Sequence, residues 1–121
     1  TIGCAETIDR IIDVFPTDQQ DQIRVQLSMV LEAVVSQRLI QTMDGNGRVA
    51  AFEVMLTDSA IRNLIREGKN YQIPSAMQSG KKKGMQSMDD CLYDLYTRGI
   101  ITRKNAMLYS SDPEEMARRL M

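Results

Sequence analysis

The sequence predicts a mainly α-helical domain with one β-hairpin, and three observations carry that prediction. Apolar residues return every three or four positions through most of the chain, as they do in helices with one buried face. Cap residues and glycines bracket these runs: Thr57-Asp58 and Gly68 enclose one, Ser87 and Gly99 another. Between residues 37 and 56 the period changes, and two extended stretches flank the polar turn Asp44-Gly45-Asn46-Gly47. At 121 residues the chain suits a single domain. A chain of this size buries roughly 65% of its unfolded surface, enough for a core without metal or disulfide staples.

The elements follow in order. Ile8, Ile11, Ile12 and Phe15 mark a short helix from Ala5 to Phe15, stopped by Pro16, which has no N–H to continue it. Thr17 and Gln20 read as a capping box for a longer helix, about Asp18 to Val35, with Ile23, Leu27, Val30, Leu31, Val34 and Val35 as its stripe. A strand over Gln37–Gln41 and another over Val49–Leu56 form the hairpin. Thr57 or Asp58 caps a helix carrying Ile61, Leu64 and Ile65 and ending at Gly68. Pro74, at a first helical position, opens another that reaches Gly80 and leads into the basic turn Lys81-Lys82-Lys83-Gly84. Ser87 and Asp90 begin a helix whose apolar face is Met88, Cys91, Leu92, Leu95 and Tyr96. Two short helices close the chain, capped by Thr102 and by Asp112 ahead of Pro113.

Composition narrows the chemistry. Zero His excludes Ser/His/Asp triads, Cys/His dyads and imidazole-bound zinc. Cys4 and Cys91 are too few for a structural zinc site and read as reduced thiols of a cytoplasmic protein. The balance of 15 Lys+Arg against 16 Asp+Glu lacks the basic excess of a nucleic-acid binder, so only the Lys81–Lys83 run argues for such a partner. That run is expected to be solvated. No apolar run is long enough for a membrane span. The chain starts at Thr1 without linker composition, which suggests a start cut from something larger.

The motifs are mostly near misses. A phosphate loop requires G-x-x-x-x-G-K-[ST], and Gly68-Lys69 and Gly80-Lys81 both lack the earlier glycine and the hydroxyl residue. A calcium loop starting at Asp44 fails at Val49 and Met55, where glycine and glutamate belong. Asp89-Asp90 and Glu114-Glu115 sit at helix starts, where the dipole accounts for them. Met29, Met88 and Met107 fall on or beside apolar stripes and are expected in the core. The segment Ala60-Ile61-Arg62-Asn63-Leu64-Ile65-Arg66-Glu67 is different. Ile61, Leu64 and Ile65 face inward, while Arg62 and Arg66, spaced i and i+4, are placed to grip an acidic or carbonyl-rich surface.

That segment, A-I-R-N-L-I-R-E, resembles the signature of the PilT-type retraction ATPases of type IV pili, in the secretion and pilus assembly ATPase superfamily. Six flanking blocks resemble the same family: Ala5–Pro16, Asp21–Ser28, Ser36–Leu39, Gly47–Val54, Ile73–Gly80 and Gly84–Asp90. The resemblance implies a C-terminal portion of a RecA-like α/β P-loop ATPase domain. Residues 1–56 would be the end of the ATPase core with the hairpin, and residues 57–121 a C-terminal helical subdomain. Thr1-Ile2-Gly3-Cys4 departs from the family pattern.

The resemblance further implies a cytoplasmic hexameric motor for pilus retraction and twitching motility. Such a motor works at the inner face of the membrane through an inner-membrane platform protein. ATP and Mg2+ belong to the parent, whose Walker motifs this chain lacks, so the chain alone is expected to be inactive. Ala60, Ile61, Arg62, Asn63, Leu64, Ile65, Arg66 and Glu67 would form the motor-coupling signature, with Arg62, Asn63, Arg66 and Glu67 exposed. Arg10, Arg24 and Arg38 are open to subunit contacts or to salt bridges within the domain. The alternative is a free-standing helical module that docks on a motor subunit or platform protein.

Overall fold

The computed structural model describes residues 3–121, so expectations for Thr1 and Ile2 lie outside the described residues. Helix α1 (Cys4–Asp13) leads through a 3-10 turn at Thr17–Gln19 into α2 (Gln20–Val30). The hairpin follows as β1 (Ala33–Gln41) and β2 (Arg48–Leu56), antiparallel in the register Ala33 opposite Leu56 to Gln41 opposite Arg48. Then come α3 (Ser59–Glu67), α4 (Ile73–Ser79), α5 (Met88–Thr97), α6 (Arg103–Tyr109) and α7 (Pro113–Arg119). The predicted class, mainly α with one hairpin, is the class adopted.

Four expected caps form. The side chains of Asp58, Ser87, Thr102 and Asp112 accept backbone N–H groups at the starts of α3, α5, α6 and α7. Each fills a donor that the helix cannot satisfy itself. Gly68 ends α3 at φ 73°, a left-handed conformation that a Cβ would strain.

Two expectations about α2 are corrected. The helix stops at Val30 rather than Val35, because the nine residues of β2 take a nine-residue partner beginning at Ala33. Leu31 is already extended at ψ 127°, and Val34 and Val35 satisfy both periods, so cross-strand pairing decides their state. The Thr17 capping box does not form: the turn at Thr17–Gln19 takes its place, and Gln20 Nε2 instead donates to the Phe15 carbonyl at 3.0 Å. Pro74 stands at the second position of α4 rather than the first. Met29, expected in the core, is 62% exposed on α2, whereas Met88 is buried and Met107 packs at a core edge.

Two apolar cores share the hairpin. The first gathers Ile8 and Ile12 of α1, Met55 of β2, Ile61 and Ile65 of α3, and Ile73 and Met77 of α4. The second gathers Ile40 and Ala51 of the hairpin with Leu92, Leu95, Ile101, Ala106 and Met116. A fully buried side chain of this kind contributes roughly 1.5–3 kcal/mol. Cys4 and Cys91 are free thiols, as expected from their number. Burial, and then the charge of Glu53 beside it, push the Cys4 thiol up to about 12, which keeps it protonated and unreactive.

The lysine turn is exposed, as expected, and two of its side chains also reach aspartates. Lys83 Nζ lies 3.0 Å from Asp58 Oδ2 and Lys81 Nζ 3.2 Å from Asp90 Oδ2, while Arg119 reaches Asp90 Oδ1 at 2.9 Å. Burial opposes the charge of each aspartate. For Asp58 the Ile61 N–H and Lys83 outweigh it, and for Asp90 Arg119 and Lys81 do, so both carboxyls titrate below their ordinary value. A depressed carboxyl stabilises the fold above its unfolded pKa of about 3.9, and that stabilisation disappears as pH falls through the lower folded value. Thermal melts are therefore expected to hold steady from neutral pH to about pH 5 and to decline below about pH 4. Asp58→Asn with Asp90→Asn should flatten that decline; an unchanged acid limb in the double variant would remove these two groups as its source.

Candidate functional site

The signature segment forms α3, and its two ends are fixed by the chain around it. Asp58 Oδ1 accepts the Ile61 N–H at 2.9 Å, and the Lys69 N–H closes the other end on the Leu64 carbonyl at 2.8 Å. Ile61 and Ile65 are fully buried and Leu64 packs against the same core. The inward half of the prediction is therefore met.

The outward half divides. Asn63, Arg66 and Glu67 are exposed, but Arg62 is half-buried and turned along the fold. Its Nη1 donates to the Ser28 carbonyl and its Nη2 to the Thr57 carbonyl at 3.0 Å. Ser28 lies in the last turn of α2, where carbonyls have no intrahelical partner and the dipole favours a cation. The carbonyl-rich surface expected of a partner is thus found in the chain itself. Arg62 stands at the flank of the stripe, and its long side chain reaches across to α2.

Arg24 makes the reverse contact. Its guanidinium packs over Gly68, where an added Cβ would come within 3.2 Å of Arg24 Nε, and it also pairs with Asp21 at 3.3 Å. Each of α2 and α3 therefore sets an arginine at the other's C-terminal end. Sequence reasoning left Arg24 undecided, and no spacing rule within α2 points to it. Arg38 stacks over the Tyr109 ring at 5.5 Å, a contact inside the domain, while Arg10 is exposed on α1.

What remains outward is a short polar edge. Arg66 Nη2 donates to Asn63 Oδ1, and Glu67 pairs with Lys69 at 3.3 Å. These contacts are local to the end of α3 and hold the groups without burying them.

The glycine–lysine sequences do not build a nucleotide site. The Gly68 N–H is bonded to the Ile65 carbonyl and the Gly80 N–H to the Met77 carbonyl, so both face their own helices rather than an anion. Among the described residues no group of three or more Cys, Asp and Glu could hold a metal ion. Neither glycine–lysine turn therefore offers its glycine N–H to a nucleotide phosphate, and no nucleotide step is assigned to these residues. No helix of the described residues is long and apolar enough to cross a membrane.

No family model matches the chain. Against known proteins the likeness is extensive. A twitching motility protein of Neisseria gonorrhoeae is 46% identical over 117 residues, 97% of this chain and 31% of that protein. The type IV pilus retraction ATPase PilT of Pseudomonas aeruginosa is 48% identical over 114 residues, 94% of this chain and 33% of that one. A crystal structure of the pilus retraction motor PilT with bound ADP superposes with a TM-score of 0.85 at 46% identity, covering 98% of this chain. The chain belongs to the PilT-type family. Its fold is that of part of a RecA-like ATPase of this kind, and it spans about one third of the length of the PilT relatives it matches.

Proposed function

We propose that the chain is the C-terminal portion of a PilT-type motor, a hexameric ATPase that retracts type IV pili, and that α3 couples nucleotide turnover to pilus disassembly. Residues 1–56 would complete the ATPase core and residues 57–121 form the helical subdomain, although both apolar cores draw on the hairpin. ATP and Mg2+ are assigned to other parts of the motor. It would work in the cytoplasm against the inner-membrane platform protein of the pilus machine.

One observation carries the assignment to α3. The helix is anchored by buried isoleucines, by caps and by Arg62, yet it presents Asn63, Arg66 and Glu67 outward at one end. A rigid helix with an exposed polar edge transmits displacement to whatever binds that edge, without loss in side-chain rearrangement.

The test is a full-length PilT-type motor carrying this segment with Asn63→Ala and Arg66→Ala. Retraction is expected to fail while ATP hydrolysis and the melting temperature stay near the parent values, because exposed substitutions cost within about 0.5 kcal/mol. Normal retraction would exclude the edge from coupling, and a collapse of thermal stability would make it structural.

A further inference from the structure

Glu53 sits at the middle of the hairpin's inner face, opposite Ser36, where the two cores meet. On one side of it Val34 and Met55 serve the first core; on the other Ile40 and Ala51 serve the second. Its carboxylate is divided between two helices. Oε1 accepts the Cys4 N–H at 2.8 Å and Oε2 accepts the Met88 N–H at 3.1 Å. Cys4 and Met88 are the first residues of α1 and α5, each ten residues long, so one negative charge completes the open ends of two helix dipoles. Gly3 gives α1 no side-chain cap, which leaves Glu53 as the side chain at that end. The adjoining cleft is lined on one side by Gly3, Ala5 and Pro74 and on the other by Ser87, Ser111 and Arg119, so it follows the junction.

We propose that Glu53 is the pin joining the two cores into one cooperative unit, so that displacement of α3 in the first core is carried to α5 to α7 in the second. The chemistry requires a carboxylate. A glutamine has one acceptor oxygen, and its NH2 group meets an N–H donor at the other helix. Other polar links cross the junction. Lys81 pairs with Asp90 at 3.2 Å, but the Lys81 side chain is 54% exposed and such a pair holds weakly. Gln86 bonds Val54 through both backbone groups and joins the linker to β2, without touching α1. The pin belongs to the chain's own mechanics and holds whatever drives α3.

The test is hydrogen exchange resolved by residue, on the chain with and without Glu53→Gln, each combined with Ile101→Val as a mild lesion in the second core. With Glu53 present, Ile101→Val is expected to speed exchange in α1 and α3 as much as in α5, since one unit opens together. With Glu53→Gln, the same lesion should accelerate only α5 and α6, about fivefold or more, and leave α1 and α3 at the rates of the Glu53→Gln parent. Should that parent fail to fold, Glu53→Asp keeps the charge on an arm too short for both helices and is read in the same way. Equal transmission of the lesion in both backgrounds, or none in the presence of Glu53, overturns the proposal.

Discussion

Replacing Ile65 by alanine is expected to cost about 3–4 kcal/mol, a large share of the roughly 5–15 kcal/mol that holds a domain of this size. The side chain is fully buried and lies in the core formed by α1, Met55, α3 and α4. Such a cavity is costly in proportion to how little the surroundings can collapse into it. Here α3 is held by the Asp58 cap, by Gly68 in its left-handed conformation and by Arg62 on two carbonyls, so the backbone has little freedom to move inward. Urea unfolding followed by circular dichroism gives the midpoint and slope. Ile65→Val should lose about 1 kcal/mol on the same scale, and Leu108→Ala, at a 67% exposed position, within about 0.5 kcal/mol. A loss below about 1 kcal/mol for the alanine variant would mean that the core refills, and that α3 is not rigidly mounted.

What the sequence made legible was local. Asp58, Ser87, Thr102 and Asp112 cap the helices they precede because a cap needs only its own residue and the next few N–H groups. Gly68 ends α3 for the same local reason. The end of α2 was not legible, since Val34 and Val35 fit a helical stripe and a strand equally, and the strand that decides between them lies some twenty residues on. Met29 shows a related limit: it falls beside the stripe of Ile23 and Leu27 rather than on it, and that side of α2 meets no core. For the candidate site, periodicity placed Ile61, Leu64 and Ile65 inward and Asn63, Arg66 and Glu67 outward. It assigned Arg62 to the outer side because the reach of a guanidinium to a helix end 34 residues earlier is a tertiary fact. Glu53 gave no signal of the role it takes between two helices. Its partners are 49 residues before it and 35 after, and an isolated Glu in a strand reads as surface.

The two arginines of the signature are therefore expected to part company on substitution. Arg62→Ala removes the donor of two carbonyls at the α2–α3 junction, and hydrogen bonds from a charged group contribute about 1.5–3 kcal/mol. Ser28 is buried, and the hydroxyl of Thr57, itself only 8% exposed, already lacks a hydrogen-bond partner, so there is little local capacity to absorb the loss. The variant should lose about 2–3 kcal/mol, a fall in melting temperature of roughly 6–15 °C for a chain of this length. Arg62→Lys should recover only part of it, because an ammonium supplies the charge without the planar fork that spans both carbonyls. Arg66→Ala should leave the midpoint within about 0.5 kcal/mol, since its bond is to a neighbour on the exposed side of the same helix. Scanning calorimetry on the three variants separates these outcomes. Retraction lost through Arg66 would then report on coupling, whereas retraction lost through Arg62 would first report on folding. An Arg62→Ala midpoint within a degree or two of the parent would reverse this, freeing the guanidinium to act outward beside Arg66 as the sequence alone suggests.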